Sequence, residues 1–152
     1  SPRALKQMAA NAYDALRTSF PDSVRYTENY EKLLVRLDSL DTACAEALRQ
    51  ANVHTIVIYH PALTYYAADY GLEQLAVEHD GKEPSARHLA RLIEEARRKK
   101  VRRVFYQAQY PASTVKVIAE DIGARSVKID PLREDVIGNI GEITRQLTSG
   151  NE

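Results

Sequence analysis

At 152 residues and 17.1 kDa, the chain has the length of one domain, or of one domain with an appendage, and it can bury a core without disulfides. Lys+Arg 21 balances Asp+Glu 21, so no net field draws nucleic acid or anionic lipid, and 44% hydrophobic with 28% charged residues argues against intrinsic disorder. A single cysteine, Cys44, excludes an intrachain disulfide framework and a multi-cysteine zinc finger, and no apolar run approaches the roughly 18–20 residues that span a bilayer.

Ser1-Pro2 shows no signal peptide and runs straight into an amphipathic pattern, as expected of a cytosolic protein or of a chain that starts partway through a longer one. Ser1 suits a helix cap and Pro2 the first helical position. Leu5, Met8, Ala9, Ala12, Leu16 and Phe20 then recur at helical spacing until Pro21-Asp22-Ser23 breaks the run. A longer helix is expected from Val24 to Ala51, with Tyr30, Leu33, Leu37, Leu40, Cys44, Ala47 and Ala51 forming one apolar seam. That heptad seam fits a coiled coil or a long helix laid against its own domain; the second is preferred.

From Asn52 the texture changes. Val53–Tyr59, Leu72–Glu78, Arg103–Gln107 and Arg125–Ile129 read as strands, and Ala62–Tyr70, Ser85–Lys100, Ala112–Ile122 and Glu134–Leu147 as helices. Gly71 and Gly123 stand where helices should stop, and Ser85 where one should start. Alternation of this kind predicts βαβ units: an α/β fold whose four-stranded parallel sheet is flanked by helices and preceded by a long helix.

Ligands of such sheets gather outside the carboxyl ends of the strands, where strand order reverses. The strands end in Tyr59-His60-Pro61, Glu78-His79-Asp80, Gln107-Ala108-Gln109-Tyr110-Pro111 and Ile129-Asp130-Pro131. For an order of 2-1-3-4 the reversal falls beside His60, and Asp130 could converge with it. An imidazole and a carboxylate there make either half of a zinc or manganese site or a structural hydrogen-bonded pair. His79 reads as a solvated turn, His54 as packed or exposed, and His88 as solvent-facing on the polar side of its helix. The run Arg97, Arg98, Lys99, Lys100, Arg102, Arg103 ends a helix, where cations complement the dipole, and lacks aromatic partners for nucleic acid. Cys44, on the apolar seam without an activating histidine, reads as a small hydrophobe. Dinucleotide, P-loop and nucleophile-elbow motifs are absent.

The segment His60-Pro61-Ala62-Leu63-Thr64-Tyr65-Tyr66-Ala67-Ala68-Asp69-Tyr70-Gly71-Leu72-Glu73-Gln74 resembles the histidine-loop signature of the zinc/manganese solute-binding proteins of bacterial ABC transporters, a family that includes adhesins. The match continues through Glu83-Pro84-Ser85-Ala86, Val104-Phe105-Tyr106-Gln107-Ala108-Gln109, Ile118-Ala119-Glu120-Asp121-Ile122-Gly123-Ala124 and Asp130-Pro131-Leu132. Several motifs in the right order make the resemblance specific over residues 53–148.

The resemblance implies half of a bilobal protein that captures a divalent transition metal between two α/β lobes and delivers it to a membrane permease. Residues 1–22 would be a helical remnant of the N-terminal lobe, 23–52 the linking backbone helix and 53–152 the C-terminal metal-binding lobe. His60 and Asp130 would be two of four ligands, the others lying in the N-terminal lobe. Zinc is favoured, with manganese or iron as alternatives, and should be weakly held by this portion alone. Imidazole must be unprotonated to bind metal, so affinity should fall as pH drops through the ordinary His value of about 6.5. The longer protein would be periplasmic or a surface lipoprotein, partnered by an ABC permease rather than nucleic acid, and the isolated portion could form a homodimer. Two departures stand out: Gln107 where relatives often carry Glu, and Leu63 where they carry Phe. Gln107 and Gln109 can orient ligands but add no charge. The rivals are an enzyme with His60 as base and Asp130 as its orienter, which lacks a nucleophile or cofactor loop, and an adhesin or interaction module acting through the heptad seam.

Overall fold

The computed structural model describes residues 1–21, 24–78, 81–110 and 112–150. Two long helices come first, α1 over Pro2–Ser19 and α2 over Val24–Gln50. The Ser1 hydroxyl accepts from the Ala4 N–H, and Pro2 takes the first helical position, whose N–H would have no intrahelical partner in any case. Of the expected break at Pro21-Asp22-Ser23, Asp22 and Ser23 lie outside the described residues. The seam of α2 buries Leu37, Cys44 and Leu48 against α1 and α6 of the same chain, as expected for a helix laid on its own domain.

Eight alternating elements follow: β1 (Thr55–Ile58), α3 (Thr64–Asp69), β2 (Glu73–Ala76), α4 (Ala86–Arg98), β3 (Arg103–Gln107), α5 (Ala112–Ile122), β4 (Arg125–Ile129) and α6 (Val136–Thr148). The four strands pair in parallel in the order β2-β1-β3-β4, so the α/β fold and the strand order read from the sequence both hold. Gly71 and Gly123 adopt φ of 65° and 69° just past α3 and α5, the left-handed conformation that glycine takes without a Cβ penalty.

Side-chain alternation along the strands divides the core into two layers. Ile56, Ile58 and Phe105 face Cys44 and Leu48 of α2, Tyr66 of α3, and Ile143 and Leu147 of α6. Val57, Tyr59 and Val104 face Leu92 and Ala96 of α4 and Val115 and Ile118 of α5. Each such aliphatic side chain stabilises the fold by about 1.5–3 kcal/mol, so the sheet is clamped from both sides and its rim is a rigid platform.

A polar cluster joins α1, α2 and α3. Arg3 donates to both Asp41 oxygens and to the Asp69 carbonyl, the Ser1 hydroxyl donates to Asp69 at 2.5 Å, and the Tyr70 hydroxyl donates to Asp41 at 2.7 Å. Burial of Tyr70 and the adjacent Asp41 carboxylate push its hydroxyl pKa well up, so it remains a donor. Burial works upward on Asp41, but hydrogen bonds from Tyr70 and Arg3 outweigh it and hold the carboxyl below its ordinary value. A carboxyl depressed in the folded state adds stability that is complete above its unfolded value of about 3.9 and is lost as pH falls through the lower folded value. Asp41→Asn should therefore lower stability at neutral pH and flatten the acid limb between about pH 5 and pH 2, as read by urea unfolding across that range.

Candidate metal centre

The strand register builds the site. Ile58 of β1 lies opposite both Ala76 of β2 and Phe105 of β3, and Gln107 of β3 lies opposite Ile129 of β4. Two steps beyond Ile58, the same row therefore carries Glu78, His60, Gln107 and the residue before Asp130. All four strands run in parallel, so the row is the carboxyl rim, with β3 between the strand that leads to His60 and the one that leads to Asp130.

Each candidate ligand is tied down by a glutamine from the end of β3. Gln107 is 2% exposed; its Nε2 donates to the His60 carbonyl at 2.5 Å, and its Oε1 accepts from the His60 N–H at 3.3 Å. Gln109 Nε2 donates to Asp130 Oδ1 at 3.2 Å, and the Leu132 N–H donates to the same oxygen at 3.1 Å. Buried Asn139 of α6 donates to the Asp130 carbonyl at 2.8 Å. The loop after His60 is held as well: Gln74 of β2 accepts from the Leu63 N–H and donates to Thr64 Oγ1.

The His60 ring is fixed on two further sides. Tyr110 stacks on it with centroids 5.5 Å apart and planes 18° apart, and Tyr59 backs Tyr110 at 5.1 Å. Glu78 places its oxygens 3.2 and 3.1 Å from Nδ1. Among the described residues nothing is hydrogen-bonded to His60 Nε2 or to Asp130 Oδ2. The local field is negative: burial pushes the Tyr59 hydroxyl pKa up, and the charges of Glu78 and Glu83 add to the rise.

His60 and Asp130 thus share a rim and a supporting strand without touching each other. No group of three or more His, Cys, Asp or Glu side chains forms a metal cage among the described residues. Glu78 is the site residue that reading along the chain misses. Its signal is a carboxylate at the end of the strand paired with β1, the two residues standing level only once the register is known.

The remaining candidates lie elsewhere. His54 precedes β1 at the opposite rim, exposed and facing the Asn52 side-chain oxygen at 2.9 Å. His88 departs from expectation: it is half-buried, with Nε2 3.0 Å from the Ala76 carbonyl, because α4 lies along β2 and turns that part of its polar side inward. His79 lies outside the described residues. Cys44 is 1% exposed, its sulfur 3.1 Å from Thr144 Oγ1. Much of the basic run is engaged within the chain: Arg97 with Asp121, Arg98 with Glu95, Lys99 with Glu73, and Arg103 with the Gln146 carbonyl.

Comparison with known proteins agrees with this fold. The family model described as ZnuA, zinc-uptake complex component A, periplasmic, matches residues 1–148. The zinc-binding lipoprotein AdcA of Streptococcus pneumoniae R6 is 31% identical over 133 residues, which cover 86% of this chain and 26% of the lipoprotein. A crystal structure of ZnuA superposes with a TM-score of 0.93 at 29% identity, covering all of this chain and 60% of that one. A zinc-bound ZnuA lacking residues 138–173 of its own numbering gives 0.91 at 29% identity, covering 100% and 59%. The chain thus spans about a quarter of the length of that lipoprotein and about three fifths of the ZnuA chains.

The doubly bonded Gln107 is the part of the site most exposed to substitution. Gln107→Leu leaves the His60 N–H without its partner and its carbonyl with the Ala62 N–H alone, and an unmet buried group costs about 1–3 kcal/mol. The variant should lose about 1–3 kcal/mol in urea unfolding with an unchanged m-value, the sign of a local loss in an intact fold.

Proposed function

The chain belongs to the ZnuA family of periplasmic zinc-uptake components, and we propose that its carboxyl rim is one wall of a divalent-metal site that captures zinc for delivery to an ABC permease. The observation that carries this reading is the division of labour within each candidate ligand. His60 has Nδ1 engaged and Nε2 open; Asp130 has Oδ1 engaged and Oδ2 open. One imidazole nitrogen and one carboxylate oxygen, each pre-oriented and set in a negative field, form half of a tetrahedral zinc shell. Zinc is favoured over manganese because imidazole suits zinc, whereas manganese prefers more oxygen ligands.

In this reading residues 53–152 are the metal-binding lobe, 23–52 the backbone helix and 1–22 part of the opposing lobe, which in the longer relatives supplies the remaining ligands. The exposed apolar tip of the helical pair, with Leu16, Phe20 and Val24, then faces that lobe or, in its absence, a second copy of the chain. The longer protein would work in the periplasm or as a surface lipoprotein beside its permease. Uptake components of this family bind and release a cargo and need no catalyst, which leaves His60 and Asp130 free of acid–base roles.

Two protein ligands leave water to complete the shell, so this chain alone should bind zinc only at about micromolar affinity or weaker. Zinc should raise the melting temperature by linkage and release protons on binding, with weaker affinity toward acid pH. His60→Ala and Asp130→Ala should each abolish the calorimetric signal. Nanomolar binding by a monomer, or an unchanged isotherm in either variant, would overturn the ligand assignment.

A further inference from the structure

His60 can ligate a metal through either ring nitrogen, and the surrounding residues decide which. Both oxygens of Glu78 face Nδ1, at 3.2 and 3.1 Å. The Glu78 side chain is 8% exposed and that of His60 41% exposed, so the carboxylate forms the inner wall and the ring's other edge looks outward. An ionised carboxylate only accepts hydrogen bonds, so Nδ1 carries the hydrogen. A neutral imidazole protonated at Nδ1 keeps its lone pair on Nε2, the atom with no hydrogen-bond partner among the described residues.

The ring has little freedom to escape this arrangement. Tyr110 stacks against its plane, and Gln107 holds both backbone polar groups of the residue. Rotating the ring about its bond to Cβ would move Nδ1 off a buried carboxylate and leave that charge without its partner. The contact also arises from register alone, since His60 and Glu78 stand level at the ends of the paired strands β1 and β2.

We propose that Glu78 is a positioning residue for His60, selecting the Nδ1–H tautomer and thereby presenting Nε2 as the metal-binding atom. Glu78 acts through His60 and does not itself touch the metal, because both of its oxygens are turned to the ring. It supplies the orienting carboxylate that Gln107, being an amide, cannot. The metal half of this inference rests on the zinc-binding reading; the tautomer half does not.

Long-range 1H–15N correlation spectra of the metal-free, 15N-labelled chain at mildly alkaline pH test the tautomer directly. His60 should show the Nδ1–H pattern in the wild type. Glu78→Ala should shift it toward Nε2–H and weaken zinc binding about 10- to 100-fold, read by competition with a chromophoric chelator. Glu78→Gln, whose amide oxygen still accepts from Nδ1–H, should keep the tautomer and recover part of the affinity. An Nε2–H pattern for His60 in the wild type, or a tautomer unchanged in Glu78→Ala, overturns the proposal. So does full zinc affinity in Glu78→Ala. A wild-type chain that binds no zinc but shows the Nδ1–H pattern sinks the zinc reading and leaves the tautomer assignment standing. If Glu78→Ala fails to fold, the wild-type spectrum and Glu78→Gln still decide the matter.

Discussion

The backbone of β1 keeps its ladder with β3 as far as Tyr59, whose N–H donates to the Phe105 carbonyl, and at His60 the ladder ends. The Gln107 side chain takes the place of a strand there, donating to the carbonyl and accepting from the N–H of His60 at once. A primary amide offers both a donor and an acceptor at the tip of a side chain of this length whatever the pH. A carboxylate in its position could accept from the N–H but would set an oxygen against the carbonyl. The rim is therefore continued for one residue by a side chain, and the direction in which His60 leaves the sheet follows from it. With Gln in place of the Glu that the resemblance leads one to expect, this position supplies two-way hydrogen bonding, and the nearby negative charge stands on Glu78, just past the end of β2.

The same economy runs through the rest of the site. His60 is held by its backbone, by one face of its ring and by one nitrogen; Asp130 is held by one oxygen and by its carbonyl. What remains open is one atom on each, above β3. The chain as a whole carries no net charge, yet Glu78, Glu83 and Asp130 collect near this rim while much of the basic run between α4 and β3 is paired elsewhere. In the proposed reading a cation meets a locally acidic wall on an otherwise neutral molecule, which would favour capture without non-specific attraction to polyanions.

Most of the fold was legible because it rests on local pattern. Runs such as Arg103–Gln107 and Arg125–Ile129 show their period and their breaks, and β3 and β4 fall on the ranges read from the sequence. Boundaries moved where a side chain or a turn intervened. Helix α6 starts at Val136, not at Glu134, because the Asp135 side chain accepts from the Gly138 N–H as its cap. Helix α3 starts at Thr64 because the chain first turns at Pro61, with the Ala62 N–H bonded to the His60 carbonyl. His60, Asp130 and the two glutamines were visible as strand-end polar residues. Glu78 also stood at a strand end, but its tie to His60 was not visible, because its partner lies on another strand and only register brings them level. His88 was misread for a related reason: the polar side of a helix says nothing about the carbonyl of a strand packed beneath it.

The stack of Tyr59, Tyr110 and His60 has an optical consequence. With no tryptophan and nine tyrosines, the chain's intrinsic ultraviolet emission is entirely phenolic. Tyr110 is the fluorophore laid directly against the candidate ligand, so any charge or ion placed on the imidazole alters the environment of its excited state at a distance of one ring. The proposed site therefore carries its own chromophore, and a metal taken by His60 should register in the tyrosine emission of unlabelled protein.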